Sequence, residues 1–148
     1  MDYTVFSTEF PDVKVFYNEP LKNYTFTKTG GRAAILIFPK DKKEASAVMH
    51  WLREHNIPTT ILGNASNVII KDGGISGAVI MLNDMSHLTV SGTQIVAEGG
   101  VALIDVSKEA AKNGLTALEF ACGIPGSVGG ANFMNAGAYG REVREVVE

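Results

Sequence analysis

Six of the sixteen glycines in this chain fall within residues 121–140, which read ACGIPGSVGGANFMNAGAYG. Glycine loses more conformational entropy on folding than other residues, so such a cluster indicates backbone that turns sharply or approaches something closely. Gly126, Gly129 and Gly130 predict a close approach to a ligand, because the small side chains around them would leave N–H groups open to an anion such as phosphate. A buried turn between two tightly packed strands would favour the same residues, so this segment alone leaves both interpretations open.

A second loop offers hydrogen-bond donors directly after a predicted strand. It consists of Gly63, Asn64, Ala65, Ser66 and Asn67, whose donors suit the oxygens of a pyrophosphate without adding charge. An ordinary Asx turn explains the loop as well when it is taken alone. Two such loops in one small domain predict a pair of walls that clasp a dinucleotide. The chain has neither the lysine of a P-loop nor a G-x-G-x-x-G turn opening a helix, which disfavours an ATPase or a Rossmann site.

The other reactive residue types do not converge in the sequence. His50 and His55 do not share a face of their predicted helix and His87 lies beside a strand, so no metal site is predicted. Ser127 lacks the G-x-S-x-G spacing of a nucleophile elbow, and the carboxylates are too dispersed for a hydrolytic pair. Tyr139 could stack on a ring system, although a packed core tyrosine is the alternative.

The elements that must position these loops follow from hydrophobic periodicity and punctuation. The apolar run 33–38 predicts a strand covered on both faces, and Asp41 with Glu44 predicts a capping box for a helix that ends near Asn56. The strand 33–38, this helix and a second strand at 59–62 are predicted to form a βαβ unit. Further along, the pattern predicts a strand at 78–82, a hairpin of 88–90 with 94–97, and a helix from 102 to 113 with Gly114 after its end, giving an α+β architecture.

Composition and charge narrow the class of protein. A chain of 148 residues with 45% hydrophobic and 20% charged residues can bury the core of an ordinary globular domain. Its net charge of −3 is scattered, with no basic stripe, so nucleic acid and an anionic membrane are unlikely partners on electrostatic grounds. No apolar run could span a bilayer and no secretory signal is recognisable, which predicts a cytoplasmic protein. The single cysteine, Cys122, excludes an internal disulfide framework.

Four motifs in order carry a resemblance to a known family. TKTGG at 27–31, ILGNASN at 61–67, LEFACGIPGSVGGA at 118–131 and MNAGAYG at 134–140 resemble the UDP-N-acetylenolpyruvoylglucosamine reductases of bacterial peptidoglycan synthesis. The resemblance runs from about Tyr24 to the end of the chain. Ala65 is a departure, because the family often has glycine there.

The resemblance implies an α+β FAD-binding domain of the vanillyl-alcohol-oxidase type, with two small α/β subdomains around a non-covalently held flavin. Residues 1–23 mix aromatic and charged residues without a sustained period, which predicts a short helix or an N-terminal arm docked on the body. The resemblance implies residues 24–84 as the first subdomain and 85–148 as a truncated second one, without the family's C-terminal substrate domain. NADPH would be the reductant and a UDP-sugar the substrate. The cofactor-binding residues carried over are Gly63, Asn64, Ala65, Ser66 and Asn67 at the pyrophosphate, and Gly123, Ile124, Pro125, Gly126, Ser127, Gly129, Gly130, Gly137, Ala138 and Tyr139 on the flavin side.

The same resemblance implies that this chain carries no catalytic residue, because the family's catalytic serine, glutamate and arginine lie in motifs beyond Glu148. The chain alone would therefore be the flavin-binding part of an NADPH-dependent oxidoreductase and would be inactive by itself. Two alternatives stay open at this point: another FAD-dependent oxidoreductase of the same fold, or a non-catalytic nucleotide-binding module. The sequence does not predict an oligomeric state.

Overall fold

The fold combines a four-stranded sheet with two short hairpins and four helices. The structure is a computed structural model, and it describes residues 3–148. In chain order its elements are α1 (Thr4–Glu9), β1 (Lys14–Pro20), β2 (Arg32–Phe38), α2 (Lys42–Glu54), β3 (Thr59–Leu62), β4 (Ile75–Met81), β5 (Leu88–Ser91), β6 (Gln94–Ala97), α3 (Leu103–Lys112), α4 (Val128–Met134), β7 (Gly137–Ala138) and β8 (Arg141–Glu142). This mixture confirms the predicted α+β class.

The larger sheet has the strand order β1-β2-β4-β3, with β1 antiparallel to β2 and the other neighbours parallel. The predicted βαβ unit of β2, α2 and β3 is present, but β4 inserts between its two strands. Residue Ile61 pairs with Ile80 in β4, and Ile37 pairs with Ile80 from the other side. The carboxyl end of β3 therefore lies at an edge of the sheet, where its following loop is free to meet another part of the chain.

Both faces of this sheet are covered, as the continuous apolar run at 33–38 predicts. Ile35 and Ile37 pack with Val48 and Leu52 of α2, while Leu36 and Phe38 belong to a cluster on the opposite face. The alternation follows from the twofold period of side chains along a strand. A small third cluster, around Leu103, Phe120, Ala121, Ala131 and Val143, joins α3 to the segment containing α4.

The Asp41 cap predicted for α2 is confirmed, but the reciprocal half of the predicted capping box is displaced by one residue. The Asp41 carboxylate accepts a hydrogen bond from the Glu44 N–H at 2.8 Å. The Glu44 carboxylate in turn accepts from the N–H of Lys40 at 2.8 Å, one residue earlier than in the standard box. The hairpin β5–β6 and the position of Gly114, with φ +67 after the end of α3, also match the sequence pattern.

Residues 3–23 are the described part of the segment 1–23 that is expected to form a short helix or an arm, and they contribute more than the sequence pattern indicates. Met1 and Asp2 lie outside the described residues. Phe6 of α1 is fully buried and lies 5.3 Å from the ring of Trp51, centroid to centroid. The strand β1 pairs with β2, so the expected arm and the first expected subdomain share one sheet. Asn18 has φ +50 within β1, although the register of β1 against β2 is the same on both sides of it.

The glycine-rich stretch also contains structure that the sequence analysis does not predict. Its middle forms α4, and its end forms the hairpin β7–β8, whose two-residue turn holds Tyr139 and Gly140 at φ +54 and +79. In the part of the chain that the structure describes, no helix is long and apolar enough to cross a membrane.

Candidate functional site

A cavity of about 720 Å³ opens between the carboxyl end of β3 and the segment that contains α4. Residues 63–67, here named the β3 loop, form one wall, and residues 124–131, here named the α4 wall, form most of the other. The volume falls in the range of roughly 300–1,000 Å³ that is typical of small-molecule and cofactor sites. The two loops that the sequence singled out therefore face one cavity.

The β3 loop turns through a left-handed residue that is not glycine. Ala65 has φ +51 and is only 6% exposed, so its methyl group packs in the core while the backbone turns. The Phe26 N–H donates to the Ala65 carbonyl oxygen at 3.2 Å and holds the turn from outside. The alanine at this position therefore does not prevent the turn.

The backbone donors of the β3 loop are free of protein partners. Across residues 3–148, no N–H of residues 64–67 donates a hydrogen bond to a protein group. Backbone polar groups are strong hydrogen-bonding groups and rarely stay unpaired when they are removed from solvent. A run of such donors on a concave surface suits an anionic group such as a pyrophosphate.

The α4 wall uses most of its donors internally. Ser127 is 1% exposed and caps α4, since its Oγ accepts a hydrogen bond from the Gly130 N–H at 3.4 Å. The N–H groups of Val128 and Gly129 donate to the carbonyl oxygens of Val101 and Gly99, each at 2.8 Å. The first turn of α4 thus does not offer an open anion site, and only the N–H groups of Gly126 and Ser127 in this wall make no hydrogen bond within the described chain.

The glycines that line the cavity differ in whether the surrounding protein leaves room for a side chain. A Cβ at Gly63 would collide with Ser127 Oγ, and one at Gly129 would approach the Gly99 carbonyl oxygen to 3.0 Å. A Cβ at Gly126 would meet only Ile124 Cγ2 at 3.8 Å and Ala131 Cβ at 3.9 Å, which are ordinary contacts. Gly126 also lacks a positive φ. The protein's own packing therefore explains Gly63 and Gly129 but not Gly126.

The structure brings together most, but not all, of the residues predicted to bind a cofactor. The cavity is lined by Gly63, Asn64, Ala65, Ser66, Asn67, Ile124, Pro125, Gly126, Ser127, Gly129 and Gly130. Four predicted residues lie outside this lining: Gly123, Gly137, Ala138 and Tyr139. Tyr139 is 89% exposed at the tip of the β7–β8 turn, so it is not a core tyrosine.

The sequence analysis missed the apolar part of the lining. It comes from the end of β3, the turn after β4, and the outer face of α4, and includes Ile61, Leu82, Phe133, Met134 and Ala136. Phe133 is 89% exposed and Met134 56% exposed, although both are large and apolar. The helical spacing of the glycine stretch could have indicated α4, but the glycines obscure it.

The cavity is electrically neutral. Its lining residues include no titratable side chain. Within residues 3–148 no cluster of three histidine, cysteine or carboxylate residues could hold a metal ion. The arrangement can bind and orient a ligand through neutral donors and apolar contacts, but it supplies no acid or base of its own.

The comparisons with known proteins identify the class to which this fold and cavity belong. The profile of the FAD binding domain family matches residues 33–148, so the chain belongs to that family. The UDP-N-acetylenolpyruvoylglucosamine reductase of Pediococcus pentosaceus is 50% identical over 147 residues, which are 99% of this chain and 49% of that protein. The chain spans about half the length of the curated relatives it matches.

Solved structures agree with this assignment. The UDP-N-acetylenolpyruvylglucosamine reductase from Thermus caldophilus superposes with a TM-score of 0.67 at 34% identity, covering 88% of this chain and 44% of that one. Cholesterol oxidase from Brevibacterium sterolicum superposes with a TM-score of 0.66 at 16% identity, covering 86% of this chain and 25% of that one. The second likeness shows the fold alone, and together with the family match and the first structure it confirms the predicted fold class.

Proposed function

We propose that this chain binds FAD non-covalently in the cavity between the β3 loop and the α4 wall, as the flavin-binding part of a UDP-N-acetylenolpyruvoylglucosamine reductase. The observation that carries the proposal is that the N–H groups of residues 64–67 donate to no group within the described chain, in a loop that lines a cavity of about 720 Å³. The similarity to the reductases along nearly the whole chain supports it.

The residues present fit the cofactor. A pyrophosphate needs several donors at close range, and the β3 loop offers the N–H groups of residues 64–67. On the opposite wall, Gly126 has no side chain that would occupy this space. The apolar side chains Ile61, Ile124 and Phe133 suit a planar aromatic ring. Gly123, Gly137, Ala138 and Tyr139 remain proposed contacts on the flavin side, although they lie outside the cavity lining.

When bound, FAD would supply hydride chemistry between NADPH and the enolpyruvyl group of a UDP-sugar. The chain's own part is to hold the pyrophosphate on neutral donors and to keep water from the ring with apolar side chains. The reductant, the UDP-sugar, the role in peptidoglycan synthesis and a cytoplasmic location are part of the proposal, taken from the resemblance of the four motifs.

Equilibrium titration of the purified chain with FAD and with FMN tests the proposal. Flavin fluorescence gives both dissociation constants, and the absorption spectrum with mass spectrometry identifies any flavin that copurifies. We expect FAD to bind more tightly than FMN by about tenfold or more, because FMN has one phosphate and cannot use all the donors of the β3 loop. A colourless chain that binds neither flavin would overturn the proposal. Equal binding of both flavins would contradict the pyrophosphate assignment.

A further inference from the structure

The two walls of the cavity are anchored to different parts of the chain. The α4 wall is fixed to residues 99–103, through Leu103 N–H donating to the Gly126 carbonyl at 2.8 Å and through the bonds of Val128 and Gly129. The β3 loop is an extension of the sheet, held by Phe26 N–H on Ala65. The width of the cavity therefore depends on whatever joins the two walls directly.

Two direct contacts join them: Gly63 packs closely against Ser127, and one hydrogen bond lies beside this contact. The side-chain amide of Asn64 donates from Nδ2 to the carbonyl oxygen of Pro125 at 2.9 Å, across 61 residues of sequence. Within residues 3–148 it is the only hydrogen bond between the β3 loop and the α4 wall. The partner is a carbonyl oxygen, so the amide nitrogen and not the amide oxygen must face it.

We propose that Asn64 is a positioning residue that holds the cavity at its ligand-ready width before the ligand enters. This inference rests on the proposed function, because the ligand is taken to be FAD. A protein whose binding-competent state is only partly populated shows a weaker apparent affinity in proportion to that fraction. Fixing the walls in advance removes that loss and leaves the contacts to the ligand unchanged.

The expected size of the effect follows from the worth of one hydrogen bond. A neutral hydrogen bond between partly exposed groups changes an equilibrium by about two- to tenfold. Its loss would widen the range of wall separations and lower the competent fraction by that factor. The association rate constant for FAD would then fall, whereas the dissociation rate constant would stay the same, since the bound state is the same.

Stopped-flow mixing of FAD with the 148-residue chain tests this, using flavin fluorescence to give both rate constants. The variants are Asn64→Ala, which removes the donor, and Asn64→Asp, which keeps the size but places a carboxylate against the Pro125 carbonyl. Asn83→Asp is the control, because Asn83 is exposed and the substitution adds the same charge without loss of a hydrogen bond. Thermal unfolding of each ligand-free variant measures any general loss of stability.

We expect slower association by about two- to tenfold in Asn64→Ala and more in Asn64→Asp, with unchanged dissociation and unfolding temperature. Faster dissociation with normal association would overturn the inference, since it would make Asn64 a direct ligand contact. Unchanged rate constants in both variants, while the wild-type chain binds FAD, would overturn the inference alone. A wild-type chain that does not bind FAD would overturn the proposed function and this inference with it.

Discussion

Gly126 is a cavity residue at which the packing of the protein itself leaves room for a side chain. A Cβ there would make only ordinary contacts with Ile124 and Ala131, both of which line the cavity. A substitution at Gly126 can therefore test the proposed ligand contact without disturbing the fold. Gly63 and Gly129 cannot serve this test, because a side chain at either would disturb the contact between protein segments.

We predict that Gly126→Val weakens FAD binding by at least about tenfold, roughly 1.4 kcal/mol, while Gly126→Ala weakens it less. The branched side chain would occupy space in the cavity that the ligand needs. The measurement is quenching of flavin fluorescence on titration. Gly73→Ala is the control, since a Cβ at Gly73 meets nothing within 4 Å. Unchanged affinity in Gly126→Val would show that this part of the wall is structural only.

Tyr24 lies outside the cavity, and the ionisation of its phenol makes the free energy of unfolding depend on pH. Burial, and then the nearby Glu19 carboxylate that accepts its hydroxyl hydrogen bond at 3.2 Å, raise the pKa of the Tyr24 phenol. Below a pH of about 10 both the folded and the unfolded chain keep the proton, so the full stability is present. Above it the unfolded chain releases the proton first, and stability is lost until the folded chain also titrates.

We therefore predict that the free energy of unfolding falls more steeply above about pH 10 in the wild-type chain than in Tyr24→Phe. Urea unfolding at a series of pH values measures the difference in the free energy of unfolding between the two proteins. The contributions of the other tyrosines are the same in both and cancel in this difference. Glu19→Gln should remove only part of the difference, because burial is the larger cause. Identical slopes for wild type and Tyr24→Phe would contradict the assignment.

At the scale of elements, α2 connects β2 and β3, the two strands that flank β4. Val48 and Leu52 bury one face of this helix against the sheet. Asp41 satisfies a donor at its first turn, which would otherwise lack a partner. A weakened α2 would therefore affect the sheet that carries the β3 loop.

We predict that Asp41→Ala lowers the free energy of unfolding by about 0.5–2 kcal/mol, and that Asp41→Asn loses much less because asparagine also caps helices well. Chemical denaturation measures both. Lys43→Ala, an exposed change in the same turn, should leave stability within about 0.5 kcal/mol of the wild type. An equal loss in Asp41→Ala and Lys43→Ala would show that the cap contributes nothing.

At the scale of the whole molecule, the cavity holds a complete set of neutral donors and no titratable side chain in its lining. Reduction of a carbon–carbon double bond needs a hydride on one carbon and a proton on the other. Neutral donors can orient a cofactor, but a positioned acid has to deliver that proton. The chain spans about half the length of its curated relatives, and the lining of the cavity contains no acidic or basic side chain.

We predict that the FAD-loaded 148-residue chain does not reduce UDP-N-acetylglucosamine enolpyruvate with NADPH faster than free FAD does. The assay follows the UDP-sugar product by mass spectrometry and NADPH by its absorbance. A full-length relative serves as the positive control. Product formed at a clear excess over the free-flavin rate would show that this chain contains the proton donor.

The sequence by itself determined the features that local physics fixes. The cap at Asp41, the buried alternation of β2, the hairpin β5–β6 and Gly114 after α3 depend on residues close together in the chain, so their patterns are legible. The resemblance of four ordered motifs implied an FAD-binding domain, and the family match over residues 33–148 confirms that domain. The two loops were also identified, because donors after a strand are a local signal.

Only the tertiary structure decided what the cavity is made of. Pairing with β2 makes β1 an edge strand of the sheet, although the sequence of β1 has no period. In the glycine-rich segment, the helix α4 begins after Ser127, which caps it. Leu82 and Phe133 enter the lining because separate segments meet there, and the bond from Asn64 to Pro125 spans 61 residues. Such contacts depend on packing between distant segments, which no local pattern of residues specifies.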